Sequence, residues 1–149
     1  MTYTAPSQVL SIRERLKTIP TQAAAITLTL NFDLRQKHSL RITMGNGKEI
    51  LLSLPRGSVL RDGEYLCADD GTVVQVKAEA EPVSMVHIED STLLARIAYQ
   101  LGARHFPVQI GCHWLRYKPH PVINELIKTL GLPVEQVNAP FEPESIQNP

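Results

Sequence analysis

The stretch Leu101-Gly102-Ala103-Arg104-His105-Phe106-Pro107-Val108-Gln109-Ile110 decides how the second half of this chain folds. Upstream of it, Leu94, Ile97, Ala98 and Leu101 recur at i, i+3, i+4 and i+7, the spacing of one apolar helix face. Asp90 or Ser91 stands where a side-chain oxygen can accept from the free N–H groups of a first turn. Gly102 stands where a helix commonly ends on glycine. The stretch therefore predicts a helix that stops at Gly102 and a strand over residues 105–110. Outward from it, residues 83–88 read as a preceding strand, Gly111 as a turn or bulge, and residues 113–117 as the next strand. His120 suits an N-cap, with Pro121 in the first turn where its missing N–H is harmless. Ile123, Leu126, Ile127 and Leu130 give a second amphipathic stripe closed by Gly131. Residues 134–137 are a last strand, and an irregular tail begins at Pro140. The order is β-α-β-β-α-β, the split βαβ pattern of a ferredoxin-like domain, with two helices on one face of a four-stranded sheet.

The first half has a different texture. Ile26, Leu28, Leu30, Phe32 and Leu34 alternate with Thr27, Thr29, Asn31 and Asp33, the period of a strand with one buried face. Leu40, Ile42 and Met44 repeat the alternation, as do Ile50, Leu52 and Leu54. Asn46-Gly47 between them supplies residues that tolerate positive φ, so a hairpin is expected there. Asp62-Gly63 and Asp69-Asp70-Gly71 mark further turns, and residues 72–77 a further strand. The charged, Pro-bearing stretch Ala78-Glu79-Ala80-Glu81-Pro82 reads as a linker. The expected class is α+β: an all-β domain over residues 1–78, then a ferredoxin-like domain over residues 79–149.

Fifteen basic and fifteen acidic residues leave no formal net charge, which argues against a nucleic-acid binder that works through a broad positive field. No run approaches the apolar length of a membrane span, and the first residues lack the basic and apolar pattern of a signal peptide. Cys67 and Cys112 are far apart and do not form a disulfide framework, which fits a reducing cytoplasm.

Three of the five histidines, His105, His113 and His120, fall with Cys112 within one short segment. Imidazole and thiolate are donors for nickel, zinc or copper, and no carboxylate pair accompanies them, so the cluster reads as binding rather than hydrolysis. By residue type alone each has a plainer reading: a packed or capping histidine, or a half-buried thiol. Adjacent strand residues point to opposite faces, so Cys112 and His113 could share one ion only if Gly111 distorts the chain. A nucleophilic Cys112 with a histidine base is chemically possible, but no oxyanion hole or orienting residue accompanies it.

Residues 101–110 resemble the Leu-Gly-Asn-Arg-His-x-Pro-x-Gln core motif of the urease accessory nickel chaperones, the UreE family. The similarity continues through Leu115-Arg116-Tyr117, residues 122–131 and Pro140-Phe141-Glu142-Pro143-Glu144. It reaches back to Leu54-Pro55-Arg56-Gly57 and Leu60-Arg61-Asp62-Gly63 in the first half. The resemblance implies an N-terminal all-β domain like the peptide-binding domain of Hsp40 chaperones, and a ferredoxin-like metal-binding domain. It implies a cytoplasmic homodimer joined through the second domain. Such a protein carries Ni(II) to urease with the other urease accessory proteins, notably the GTPase, and is not an enzyme. Nucleic acid and membrane are not among its implied partners. His105 is the implied shared nickel ligand, met by its copy across a twofold, and Zn(II) or Cu(II) could take the same site. The motif's asparagine is Ala103 here. The histidines that many relatives carry after the tyrosine fall in Tyr117-Lys118-Pro119-His120-Pro121, where His120 is the available donor. With no histidine after His120, few ions per dimer are expected, one at the interface plus weak sites. A protein-binding adaptor with incidental metal contact is the other reading the sequence supports.

Overall fold

The computed structural model describes residues 9–145. These fall into two compact units that divide between Ala78 and Glu79. The first unit contains strands β1 (Val9–Arg15), β2 (Ile26–Leu30), β3 (Ser39–Thr43), β4 (Glu49–Ser53), β5 (Tyr65–Ala68) and β6 (Val73–Ala78), and one short helix, α1 (Phe32–Arg35). They form a six-stranded sheet in the order β2-β6-β5-β1-β4-β3. The pairing is mixed, with β1 parallel to β4 and β2 parallel to β6. Ile12, Leu28, Ile50, Leu52, Leu66, Val74 and Val76 form its core.

One expectation for this unit needs correction. The alternation from Ile26 to Leu34 stops being strand at Leu30, and Phe32–Arg35 turns into α1. Asn31 is the reason: its side chain accepts from Leu34 N–H at 3.0 Å, which satisfies the first turn of a helix. Phe32 and Arg35 then both point inward. Arg35 is fully buried, donating to the carbonyls of Leu30 and Leu60. The hairpin between β3 and β4 forms as expected, with Gly47 at φ 85°.

The expected linker is also mostly strand. In the second unit, β7 (Ala80–His87) follows β6 with only Glu79 between them. Ala80, Glu81 and Pro82 pair with Pro140, Ala139 and Asn138 of β10 (Glu135–Pro140). The proline is tolerated because β7 has a partner on one side only at that point, its pairing with β9 (Trp114–Tyr117) starting at Ser84. Between these strands lie α2 (Ser91–Ala103), β8 (Val108–Gly111) and α3 (Pro121–Thr129). The sheet order is β10-β7-β9-β8, with every neighbouring pair antiparallel.

Alternate residues of these strands face the helices. Val86, Ile88, Val108, Leu115 and Tyr117 pack with Ile97 and Leu101 of α2 and Ile123 and Ile127 of α3. The opposite face carries Trp114, whose ring lies over Gly111 so closely that a Cβ there would sit 2.0 Å from its Cε2. Arg116 stacks on the same indole at 4.5 Å. Residues 141–145, expected to be an irregular tail, have a fixed course. Arg116 donates to the Pro140 carbonyl, Glu142 N–H to the Gln109 side chain, and Glu144 N–H to the Val108 carbonyl. The segment thus runs from β10 to β8 across the face away from the helices, and its first residue, Phe141, is fully buried.

Candidate metal centre

Asp90 opens α2, its carboxylate accepting from Thr92 and Leu93 N–H at 2.8 and 3.3 Å. The helix does not stop on Gly102, which lies within its last turn. It continues to Ala103 and closes on His105. The His105 N–H donates to the Gly102 carbonyl at 3.0 Å, and the Phe106 N–H to the Leu101 carbonyl at 3.0 Å. That crossed pair of bonds is a Schellman closure, and it requires a left-handed residue at the position His105 fills. His105 adopts φ 63° accordingly. Phe106, the next residue, packs on the core that contains Leu101, the apolar contact such closures favour. The strand expected from His105 begins only at Val108. His105 is thus a turn residue, held out of both helix and strand, and its side chain is exposed.

Cys112 and His113 are likewise not strand residues. Gly111 pairs with Trp114, so these two form the whole loop of the β8–β9 hairpin. His113 takes φ 62° and its carbonyl accepts from Ile88 N–H at 2.8 Å. Both side chains are exposed and Cys112 is a free thiol. The objection from strand alternation therefore does not apply to them, although no bulge at Gly111 is involved.

His120 is the N-cap of α3, with Pro121 behind it, but its side chain makes no capping hydrogen bond. Its ring pairs with that of Phe106, the centroids 5.3 Å apart and the planes at 68°. Its Nδ1 is buried and has no hydrogen-bond partner among the described residues. The sequence therefore brings His120 next to the His105 turn through an aromatic neighbour. Among the described residues, no three His, Cys, Asp or Glu side chains gather where they could hold an ion. The four candidates divide between the α2 turn, the hairpin tip and the α3 cap.

A polar cluster beneath α3 was not anticipated. Gln136 Nε2 donates to Ser84 Oγ at 2.8 Å, and Ser84 Oγ donates to Asn124 Oδ1 at 3.0 Å. The Tyr117 hydroxyl donates to the same Asn124 oxygen at 2.6 Å. Burial pushes the Tyr117 phenol above its ordinary range. Asn124 N–H in turn donates to the His120 carbonyl at 2.9 Å, so the cluster ties the first turn of α3 to the sheet. Its one trace in the sequence is Asn124 beside Ile123 on the apolar side of the helix.

Two family models match the chain. That of the UreE urease accessory protein C-terminal domain covers residues 81–148, and that of the UreE urease accessory protein N-terminal domain covers residues 9–79. The urease accessory protein UreE of Alkalilimnicola ehrlichii is 48% identical over 137 residues, spanning 91% of this chain and 82% of that protein. Those of Paraburkholderia xenovorans and Burkholderia thailandensis are 49% and 47% identical, spanning 81% and 83% of this chain. The matched regions are 54% and 58% of those two proteins, so this chain spans little more than half their length.

Proposed function

This chain belongs to the UreE family of urease accessory proteins, which are accessory metallochaperones and not enzymes, and from that premise we propose that it binds Ni(II) and delivers it for assembly of the urease active site. The observation that carries this reading is His105: an exposed histidine fixed in a left-handed helix closure, its N–H donated to the Gly102 carbonyl. Imidazole is a suitable donor for Ni(II), and for Zn(II) or Cu(II) in competition. One histidine makes a weak site. A homodimer joined through the second unit doubles it, because a twofold axis presents the same residue twice. Solvent or the receiving protein completes the coordination, and a site short of protein donors gives its ion up readily. Cys112 and His113 form a separate pair of soft donors on the hairpin tip and would act as a weak secondary site.

The second unit is a ferredoxin-like domain in this reading, supported by its strand order β10-β7-β9-β8 and by its two helices, one after β7 and one after β9. The first unit is an Hsp40-like β domain suited to protein contact. The partners are the urease apoprotein and the other accessory proteins, including the GTPase, in the cytoplasm. Two free thiols agree with a reducing compartment. Among the described residues no helix is long and apolar enough to cross a membrane.

Equilibrium dialysis against Ni(II) tests the proposal. The wild-type protein is expected to retain nickel, and His105→Ala to bind it about tenfold or more weakly, as losing a metal-site residue does. Unchanged affinity and stoichiometry in His105→Ala would remove His105 from the site. A wild-type protein that retains no nickel would favour the protein-binding adaptor instead.

A further inference from the structure

We propose that His120 is a positioning residue that holds the His105 turn, and not itself a metal ligand; the metal-binding half of this proposal rests on His105 being the nickel donor. Three features of His120 point the same way. Its backbone is fixed on both sides. Pro121 excludes the helical region for the residue before it, and His120 is extended at φ −144° and ψ 117°. Pro119 constrains the approach, and the Ser84–Asn124–Tyr117 cluster pins the turn that follows. The imidazole therefore stands on a rigid base rather than a flexible arm.

Its ring is used for packing. It does not cap α3, although it occupies the cap position. It packs in a T-shaped pair with Phe106 at 5.3 Å, and Phe106 is the residue whose N–H closes α2 on Leu101. Phe106 is thus held by the apolar core on one side and by His120 on the other. Holding Phe106 holds the peptide that fixes His105 at positive φ.

The ring's polar atoms argue against ligation. A metal-bound histidine ordinarily donates its second ring N–H to an acceptor, which sets the tautomer and strengthens the donor. If Nε2 took the ion, the proton would lie on Nδ1, which is buried with no partner among the described residues. A buried donor without an acceptor is unfavourable.

The test compares His120→Phe, which keeps a ring of similar reach but no nitrogen, with His120→Ala, which removes the contact. Both are read first in metal-free protein by backbone ¹⁵N relaxation at His105 and Phe106. His120→Ala is expected to make these amides more mobile, and His120→Phe to leave them as in wild type. Both are then titrated with Ni(II) beside His105→Ala. His120→Phe is expected to bind like wild type, while His120→Ala weakens about two- to tenfold, the worth of one aromatic pair. Phe106→Leu, which removes the other ring, is expected to weaken binding similarly, and the double variant no further than either alone. X-ray absorption should count the same number of imidazoles in wild type and His120→Phe. A His120→Phe protein as defective as His105→Ala, or one imidazole short, would make His120 a ligand and overturn the proposal. Unaltered relaxation and affinity in His120→Ala would overturn it too. Failure of the nickel reading is separate: it shows as wild-type binding that His105→Ala leaves intact, while the relaxation result still decides the positioning role.

Discussion

His105 occupies a conformation that disfavours any residue with a Cβ, at the position where glycine most often closes a helix. Histidine is among the residues that tolerate it best, and on the proposed reading the donor side chain is the reason the strain is kept. The expected consequence is an opposition between stability and binding. His105→Gly should raise the unfolding free energy by about 0.5–1 kcal/mol, the left-handed penalty relieved less the added entropy of glycine in the unfolded chain. The same variant should lose nickel as His105→Ala does. Urea denaturation beside a nickel titration checks both, and a destabilised His105→Gly would contradict the strain. The same residue shows why the sequence misleads by a few positions. Gly102 looks like the stop, but helix closure is set by the apolar pair Leu101 and Phe106, whose five-residue separation matches the crossed bonds observed. The expected strand start at His105 misjudged its backbone, because a strand start and a left-handed closure share the same sequence pattern of histidine before an apolar residue.

The helix α3 is held to the sheet by chemistry that hydrophobic periodicity does not reveal. Asn124 Oδ1 accepts from two buried hydroxyls, those of Ser84 and Tyr117. Asn124→Ala should therefore destabilise the second unit by about 1–3 kcal/mol for each hydroxyl left without an acceptor, whereas Asn124→Asp keeps the oxygen and should cost less. Chemical denaturation of both variants gives the comparison, and equal losses would discount the cluster. Tyr117 adds a pH dependence. Its folded-state pKa is raised above 10.0 by burial, so the folded state keeps its proton where the unfolded state has lost it. The stabilisation is complete below pH 10 and should fall as pH rises through the folded value. In Tyr117→Phe that alkaline loss should be shallower, as read from denaturation midpoints on either side of pH 10. At this scale the alternating strands were legible, because Leu40, Ile42, Ile50 and Leu52 each show one buried face. The helix Phe32–Arg35 was not, since Phe32 and Leu34 also fit a strand and one Asn31 hydrogen bond decides between them. The course of residues 141–145 was not legible either, being fixed by bonds to distant partners on β8 and β9.

For the molecule as a whole, a nickel site shared between two chains, as proposed, has a measurable consequence. If nickel is held between two copies of His105, the ion binds the dimer and hardly binds the single chain. Ligand and self-association are then linked: each must strengthen the other by the same factor. Nickel at about a hundred times its dissociation constant should stabilise the dimer by about 2.7 kcal/mol, close to a hundredfold in the dimer dissociation constant. Sedimentation of dilute protein should show the dimer fraction rising with Ni(II), saturating at one ion for two chains. Apparent nickel affinity should tighten as protein concentration increases through the dimer dissociation constant. His105→Ala should dimerise to the same extent with and without the ion, because it loses the linkage. One ion per chain, bound with an affinity independent of protein concentration, would mean that each chain builds a complete site by itself. That outcome would be hard to reconcile with donors divided among the α2 turn, the hairpin tip and the α3 cap, and it would direct attention to the Cys112-His113 tip as the carrier of the ion.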